Sequence, residues 1–202
     1  VSYMTPASIL WDVQSRYRDG ADIYEPRNDD GVFHGPTSLR NSLQRSYNVP
    51  AIKTLEIIGF DKFLETANRM NINFLQPNLG LSSALGTNEV RLIDMMRAYG
   101  GIANGGTYVP LRTILYITTS DGEQLSLAPL GFEDEPEQVL SPQVAYLLQN
   151  IMSDDNARQP VFGINSDLTL SRQGLPTQDF VAAKTGTTDG ARDLWTMGFT
   201  NN

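Results

Sequence analysis

The 202-residue sequence contains no cysteine, and that absence alone excludes several functions. Without a thiol there is no disulfide framework, no thiolate nucleophile and no cysteine-ligated metal site. Histidine is almost absent as well, because His34 is the only one. It precedes a Gly-Pro break, and the sequence shows no obvious Ser or Asp partner for it. We therefore predict a structural or surface role for His34 rather than a catalytic one.

Positive charge is also scarce, since 15 lysines and arginines are outnumbered by 23 acidic residues and the formal net charge is -8. Nucleic acid is not expected as a partner, because a phosphate backbone requires a basic face. The sequence also lacks a signal peptide and any apolar run long enough to span a bilayer. Any membrane attachment is therefore expected to lie outside these residues. The hydrophobic content of 40% is enough for one globular domain with a core.

The most informative stretch is VAAKTGTT at 181–188, where an apolar run becomes polar at Lys184, one of only three lysines. Its threonines favour a strand and add hydroxyls, and Gly186 leaves the backbone open to a ligand. Such a strand edge suits an extended peptide that carries a carboxylate. A solvent-exposed strand end with an ordinary turn glycine is the alternative. The candidate substrate-binding residues are Thr185, Gly186, Thr187 and Thr188.

A second polar site is predicted where two helices meet. A helix is expected over 37–46 with Thr37 as its N-cap, because a Gly-Pro pair breaks the chain before it. Pro50 disfavours a helical residue before it, so this helix should end near Ser46 and the next should begin near Pro50. Ser46 and Asn48 then lie at the turn between the helices. By themselves, these two residues could be no more than a helix end and a turn.

The remaining elements follow from caps, turns and periodicity. Helices are predicted at 51–58 with Gly59 as C-cap, at 61–70 capped by Asp61, at 87–103 capped by Thr87 or Asn88, and at 141–151 capped by Ser141. In the last of these, Val144, Leu147, Leu148 and Ile151 should face inward. A hairpin is predicted around Asp121-Gly122, strands at 180–184 and 193–200, and irregular structure at 131–138 and 154–177.

Ser46-Tyr47-Asn48, followed much later by Lys184-Thr185-Gly186, resembles two signatures of the penicillin-binding proteins and serine β-lactamases, S-x-N and K-T-G. The surrounding sequence is similar to the transpeptidase domain of class A, bifunctional penicillin-binding proteins. The resemblance follows the family order along nearly the whole chain. It implies an α+β fold of the serine β-lactamase/transpeptidase type, with an antiparallel sheet flanked by a helical lobe. The similar segments are 3–7, 39–51, 85–106 and 193–200.

The third signature of the family, S-x-x-K, carries the nucleophilic serine and the lysine that activates it. None of the three lysines here has a serine three residues before it. In the family this signature lies a little upstream of a segment that resembles Thr5-Pro6, which implies a position before Val1. We therefore expect residues 1–202 to be a partial transpeptidase domain without the nucleophile helix and the last strands. Alone, it should lack the covalent step.

The resemblance also implies the chemistry, which is acyl transfer from the D-Ala-D-Ala end of a peptidoglycan stem peptide. The catalytic residues would be Ser46, Asn48 and Lys184. Ser46 would hydrogen-bond to Lys184 and relay a proton to the leaving amine, while Asn48 would hold the substrate amide. Lys184, Thr185 and Thr187 would bind the terminal carboxylate, and the backbone N–H of Thr187 would form half of an oxyanion hole. β-Lactams would bind the same groups, and neither a cofactor nor a metal is implied.

Two other functions stay open. A β-lactamase-like hydrolase would release the acyl group to water, but it needs a base for that water, and no glutamate-bearing loop is evident. A non-catalytic interaction module would keep the fold without the chemistry. The acidic cluster at 133–137 fits a solvated surface better than a metal site. By resemblance, the protein belongs in the bacterial cell envelope, and it reaches the membrane only through parts outside this chain.

Overall fold

A computed structural model gives the structure of the chain, and it describes residues 4–19, 22–76, 79–126, 135–164, 166–169, 181–188 and 192–200. Within these ranges the strands pair two by two, and each pair is antiparallel. The pairs are β1 (Ile9–Asp12) with β4 (Gly35–Ser38), β2 (Tyr17–Asp19) with β3 (Asp22–Tyr24), β5 (Thr107–Tyr108) with β8 (Glu137–Gln138), β6 (Ile117–Thr118) with β7 (Gln124–Leu125), and β9 (Val181–Thr187) with β10 (Leu194–Thr200).

Six α-helices lie in the same ranges, so the fold is mixed α+β, as predicted. They are α1 (Leu39–Gln44), α2 (Asn48–Ile58), α3 (Phe60–Arg69), α4 (Leu92–Ala103), α5 (Pro142–Met152) and α6 (Asp155–Phe162), and a 3₁₀ helix spans Leu81–Leu85. None of the helices in the described part of the chain has the length and apolar character needed to cross a membrane.

The core behind the last two strands consists of Ile102 of α4, Met152 of α5 and Ala182 of β9. Phe199 of β10 packs against it. Ala182 is completely buried, and its small side chain lets the helices approach β9 closely. Gly198 of β10 packs directly against the backbone of β9, and a Cβ at this position would lie 2.6 Å from the carbonyl oxygen of Ala182. Small residues therefore set the spacing of β9 and β10.

Polar side chains along α1 and at its C-cap tie that helix to α5 and α6. Arg40 donates to the Asp154 carboxylate at 3.0 Å. Gln44, which is buried, donates to backbone carbonyls at the end of α5 and at Asp154. The Nε of Arg45 donates to the carbonyl of Ala157 at 3.1 Å. The end of α1 is thus fixed against the two helices that follow in sequence more than 100 residues later.

Two of the predicted helix starts are displaced, each for its own reason. The helix predicted at 37–46 begins at Leu39, because Thr37 pairs with Leu10 in β4. Ser38 is the N-cap instead, and its side chain accepts the N–H of Asn41. The next helix begins at Asn48 rather than Pro50, since a proline is tolerated in the first helical turn, where its missing N–H has no partner to lose.

Two further starts were also wrong. Helix α3 begins at Phe60 after Gly59, so Asp61 lies in its first turn and does not cap it. Helix α4 begins at Leu92, several residues after the predicted caps Thr87 and Asn88. The predicted C-cap of α2 at Gly59 and the predicted end of α4 at Ala103 are confirmed.

Two segments predicted to be irregular contain regular structure. Helix α6 begins directly after Asp154, its N-cap, whose carboxylate accepts the N–H of Ala157. Glu137–Gln138 forms strand β8. The Asp-Gly hairpin and the cap at Ser141 are confirmed. In α5, however, Val144 and Leu147 are 44% and 37% exposed instead of facing inward. Predictions that concern Tyr3, 131–134, 170–177, Phe180 and 189–191 fall outside the described residues.

Candidate functional site

Ser46 lies in the turn between α1 and α2 with a φ of 57°, in the left-handed region. Its N–H donates to the carbonyl of Leu43 at 3.2 Å, and the N–H of Tyr47 donates to that of Ser42 at 3.0 Å. This pair of bonds closes a helix through one left-handed residue, a position that glycine usually occupies. A residue with a Cβ costs ~1–2 kcal/mol in that conformation. The backbone strain therefore falls on Ser46, whose hydroxyl contacts Lys184.

The hydroxyl of Ser46 joins the two sequence motifs. The ammonium of Lys184 donates to Ser46 Oγ at 2.7 Å and to the carbonyl of Thr185 at 2.6 Å. The two side chains are 138 positions apart in sequence, and both are half-buried. The predicted hydrogen bond between Ser46 and Lys184 is present, so the turn after α1 and strand β9 form one site.

Burial lowers the pKa of Lys184 to about 8, because the interior disfavours its cation. The carboxylate of Asp29 raises this pKa, and the guanidinium of Arg158 lowers it further. A lysine with a pKa of about 8 is ~90% protonated at pH 7 and mostly neutral at pH 9. Near neutral pH, Lys184 can therefore attract an anion and still release a proton at small cost.

Asn48 begins α2 beside this pair. Its Nδ2 donates to the carbonyl of Arg27 at 2.9 Å and to the carboxylate of Asp29 at 3.1 Å. Both amide hydrogens are thus used, and Oδ1 is the atom that Asn48 can offer to a ligand without breaking either bond. The sequence prediction missed Asp29, because Asn28-Asp29-Asp30-Gly31 has the composition of an ordinary turn.

Strand β9 presents the K-T-G residues at a sheet edge. Among the described residues β9 pairs with β10 alone, so its second edge can pair with another extended chain. Gly186 and Thr187 are exposed, and Thr185 is half-buried. Because side chains alternate along a strand, Thr185 and Thr187 share one face. The hydroxyl of Thr188 accepts the N–H of Asp193 at 2.9 Å and so links the end of β9 to the residue before β10.

Arg158 of α6 supports the strand from behind, and only 1% of this residue is exposed. Its Nη2 donates to the carbonyl of Met152 at 2.5 Å and to that of Ala183 at 3.4 Å, and its Nη1 lies 3.1 Å from the Asp155 carboxylate. The carbonyl just before Lys184 is therefore held by a buried guanidinium. The sequence prediction missed Arg158 because it interpreted 154–177 as irregular; the usable signal was Asp154, an N-cap residue followed by an acidic first turn.

His34, predicted to be structural or on the surface, has two acidic partners that the sequence did not reveal. Its Nδ1 lies 2.8 Å from the carboxylate of Asp12, and its Nε2 lies 3.1 Å from that of Asp30. Within the described ranges, no group of three or more His, Asp or Glu side chains could hold a metal ion, and this includes the residues around His34.

Comparison with known proteins identifies a family that matches almost the whole chain. The model of the family described as "Penicillin binding protein transpeptidase domain" matches residues 4–201. The chain is 33% identical over 199 residues to penicillin-binding protein 1C of Escherichia coli strain K12. The aligned region covers 96% of this chain and 22% of that protein. It spans about a fifth of the length of the curated relatives that it matches.

Two solved structures share the fold. Penicillin-binding protein 1A from Haemophilus influenzae superposes with a TM-score of 0.79 over 97% of this chain and 33% of that chain, at 22% identity. The imipenem acyl-enzyme complex of penicillin-binding protein A from M. tuberculosis gives 0.75 over 98% of this chain and 47% of that chain, at 18% identity. These likenesses confirm the serine β-lactamase/transpeptidase fold that the sequence motifs predicted.

Proposed function

Since this chain belongs to the penicillin-binding protein transpeptidase family, we propose that it forms part of a serine D,D-transpeptidase that cross-links peptidoglycan stem peptides. One observation carries the proposal, namely the hydrogen bond of 2.7 Å between Lys184 and Ser46. It joins the S-x-N turn to the K-T-G strand beside an open sheet edge. That combination supports the binding of an extended peptide with a carboxylate end.

In the proposed reaction, the hydroxyl of a serine outside these residues attacks the carbonyl carbon of the D-Ala-D-Ala amide. The C–N bond breaks, the acyl group stays on the serine as an ester, and D-alanine leaves with a proton on its nitrogen. Ser46 relays that proton while Lys184 holds its hydroxyl in place, and such transfers contribute ~100-fold or more. The amine of a second stem peptide then attacks the ester, forms the new amide and frees the serine.

The substrate lies along β9 in this proposal. Lys184 supplies positive charge near the terminal carboxylate, and the hydroxyls of Thr185 and Thr187 donate to it. Gly186 leaves room for the peptide, and the N–H of Thr187 stabilises the oxyanion, a contribution of ~3 kcal/mol to the barrier. Thr188 acts indirectly, because its hydroxyl links the end of β9 to Asp193.

Asn48 holds the substrate amide through Oδ1, because both hydrogens of its Nδ2 are already bonded. β-Lactams are the second proposed class of ligand, since their carboxylate and strained amide mimic the same end of the peptide. One structural neighbour is described as an imipenem acyl-enzyme complex, which supports this assignment. The proposed location is the bacterial cell envelope, with the parent protein anchored in the membrane by other parts.

We also propose that the nucleophile lies outside residues 1–202 and that these residues form a partial domain. No lysine in the sequence follows a serine by three positions, so the S-x-x-K pair is absent from them. By itself, this chain should therefore bind substrate without forming the ester.

Intact-mass measurement after incubation with a penicillin tests the proposal, on the 202-residue chain and on the full-length protein. We expect a stable adduct on the full-length protein only, at a serine that peptide mapping places outside these residues. An adduct on the 202-residue chain would contradict the proposed position of the nucleophile. Rapid release of the drug from the full-length protein would favour a β-lactamase-like hydrolase, and no adduct on either would favour a non-catalytic module.

A further inference from the structure

Three polar residues that take no part in the proposed chemistry lie behind the S-x-N turn. Asp12 ends β1, and Asn28 and His34 come from the segment between β3 and β4. Asp12 is completely buried, and Asn28 is 5% exposed. Most buried polar groups are hydrogen-bonded, so the bonds that these residues make indicate what they hold. Asp12 makes its bonds through Oδ2, whereas its buried Oδ1 has no partner.

Asn28 caps α2 from outside the helix. The residue before that helix, Tyr47, makes no side-chain capping bond. Instead, Oδ1 of Asn28 accepts the N–H of Asn48 at 2.9 Å and that of Val49 at 3.3 Å. Its Nδ2 donates to Asp12 at 2.7 Å and to the carbonyl of Val32 at 2.8 Å. Because the amide is bonded at both ends, its position fixes where the backbone of Asn48 begins the helix.

His34 holds the residue between Ser46 and Asn48. Its ring stacks on that of Tyr47, with centroids 4.1 Å apart and planes 13° apart. The backbone N–H of His34 donates to Asp12 Oδ2 at 2.9 Å, the same oxygen that its Nδ1 and Asn28 contact. The carboxylate of Asp12 is thus the common anchor of the stacked ring and of the helix cap.

We propose that Asn28 and His34, anchored on Asp12, are positioning residues for the S-x-N turn. The cap fixes the backbone of Asn48 on one side of Tyr47, and the stacked ring fixes Tyr47 itself. Ser46, one residue earlier, is thereby held where its hydroxyl meets Lys184. This inference rests on the proposed function, because it assigns the residues a role in acylation.

The test measures acylation of the full-length protein by a fluorescent penicillin, with its rate constant and final amplitude recorded separately. Unfolding lowers the amplitude, since fewer molecules can react, whereas a misplaced turn lowers the rate constant at full amplitude. We expect Asn28→Ala to slow acylation about tenfold or more at full amplitude, because misplacement by ~1 Å can cost ~100-fold. Ser141→Ala is the matched control, since it removes the cap of α5; its rate constant should match that of the wild type.

A second pair of variants separates the stacking from the hydrogen bonds and keeps the test decisive if Asn28→Ala does not fold. His34→Ala should slow acylation about tenfold, and His34→Phe, which keeps a ring against Tyr47, should restore much of the rate. A wild-type rate constant in Asn28→Ala and His34→Ala, or a loss of amplitude alone, would overturn the inference. No labelling of the wild-type protein would overturn the proposed function instead.

Discussion

The left-handed conformation of Ser46 leads to a prediction that separates its structural cost from its chemical role. Two substitutions remove the same hydroxyl, and with it the bond to Lys184. Ser46→Ala keeps a Cβ at a φ of 57°, whereas Ser46→Gly has none. Any difference in stability between the two variants therefore reports the backbone conformation, and the loss of activity that they share reports the hydroxyl.

The expected magnitudes follow from the structure. Both variants lose a hydrogen bond to a charged group, which contributes ~1.5–3 kcal/mol. Only the alanine variant keeps the ~1–2 kcal/mol cost of a left-handed residue. The glycine variant loses ~0.4–1 kcal/mol of stability relative to alanine, because glycine has greater conformational freedom in the unfolded chain. The midpoints of these two ranges differ by ~0.8 kcal/mol, so Ser46→Gly should be more stable than Ser46→Ala by that amount, which raises its Tm by ~2–3 °C in a domain of this size.

Calorimetry of the full-length protein measures the first effect, and the rate of penicillin acylation measures the second. Both variants should acylate ~100-fold more slowly than the wild type, because the proton relay is lost. If Ser46→Ala were as stable as Ser46→Gly, Ser46 would not hold a left-handed conformation in solution. If either variant acylated at the wild-type rate, the hydroxyl would not carry the proton.

Three further predictions concern strand β9 and its supports. Lys184 should titrate near its pKa of about 8, because burial disfavours the cation. Burying the charge therefore lowers the free energy of unfolding fully below pH 8, and this destabilisation disappears as pH rises toward ~10.4, the pKa of an unfolded lysine. Competitive amine labelling with peptide mass spectrometry measures this, with Lys53 and Lys62 as references, and Asp29→Asn should move the midpoint lower. Arg158→Met should lower the free energy of unfolding by ~2–5 kcal/mol in urea titrations, because it leaves buried carbonyls without a donor. Gly198→Ala should slow acylation, because its Cβ would lie 2.6 Å from a carbonyl of β9, whereas Gly100→Ala, where a Cβ meets nothing within 4 Å, should not.

Each of these predictions has an outcome that would contradict it. A titration of Lys184 at the ordinary lysine value would mean that its ammonium is hydrated rather than buried. An unchanged urea midpoint for Arg158→Met would mean that water or another donor replaces the guanidinium. Equal acylation rates in the two glycine variants would mean that β9 tolerates the added methyl group without moving Lys184.

Elements whose signals are local could be predicted from the sequence. Ser141 with the proline after it defines the start of α5, and Asp121-Gly122 defines a hairpin, because caps and tight turns depend on a few adjacent residues. Thr37 also has the chemistry of a cap, but it lies in β4 because pairing with Leu10 takes precedence. Pairing across 27 positions has no local signature.

The same limit applies to the site. The two motifs predicted the bond between Ser46 and Lys184 only through their resemblance to a family, since nothing local joins residues 138 positions apart. Arg158 and Asp29 were missed because each acts on a partner that tertiary packing selects. The partner of His34 was missed for the same reason, since Asp12 lies 22 positions away.

The central claim, that Lys184 and Ser46 serve acyl transfer from D-Ala-D-Ala peptides, is tested most directly by counting products. Full-length protein would be incubated with a donor peptide that ends in D-Ala-D-Ala and an acceptor peptide with a free amine. We expect one D-alanine released for each cross-link formed, and both to fall together by ~100-fold in Lys184→Ala. Release of D-alanine without cross-links, or an unchanged yield in that variant, would contradict the account.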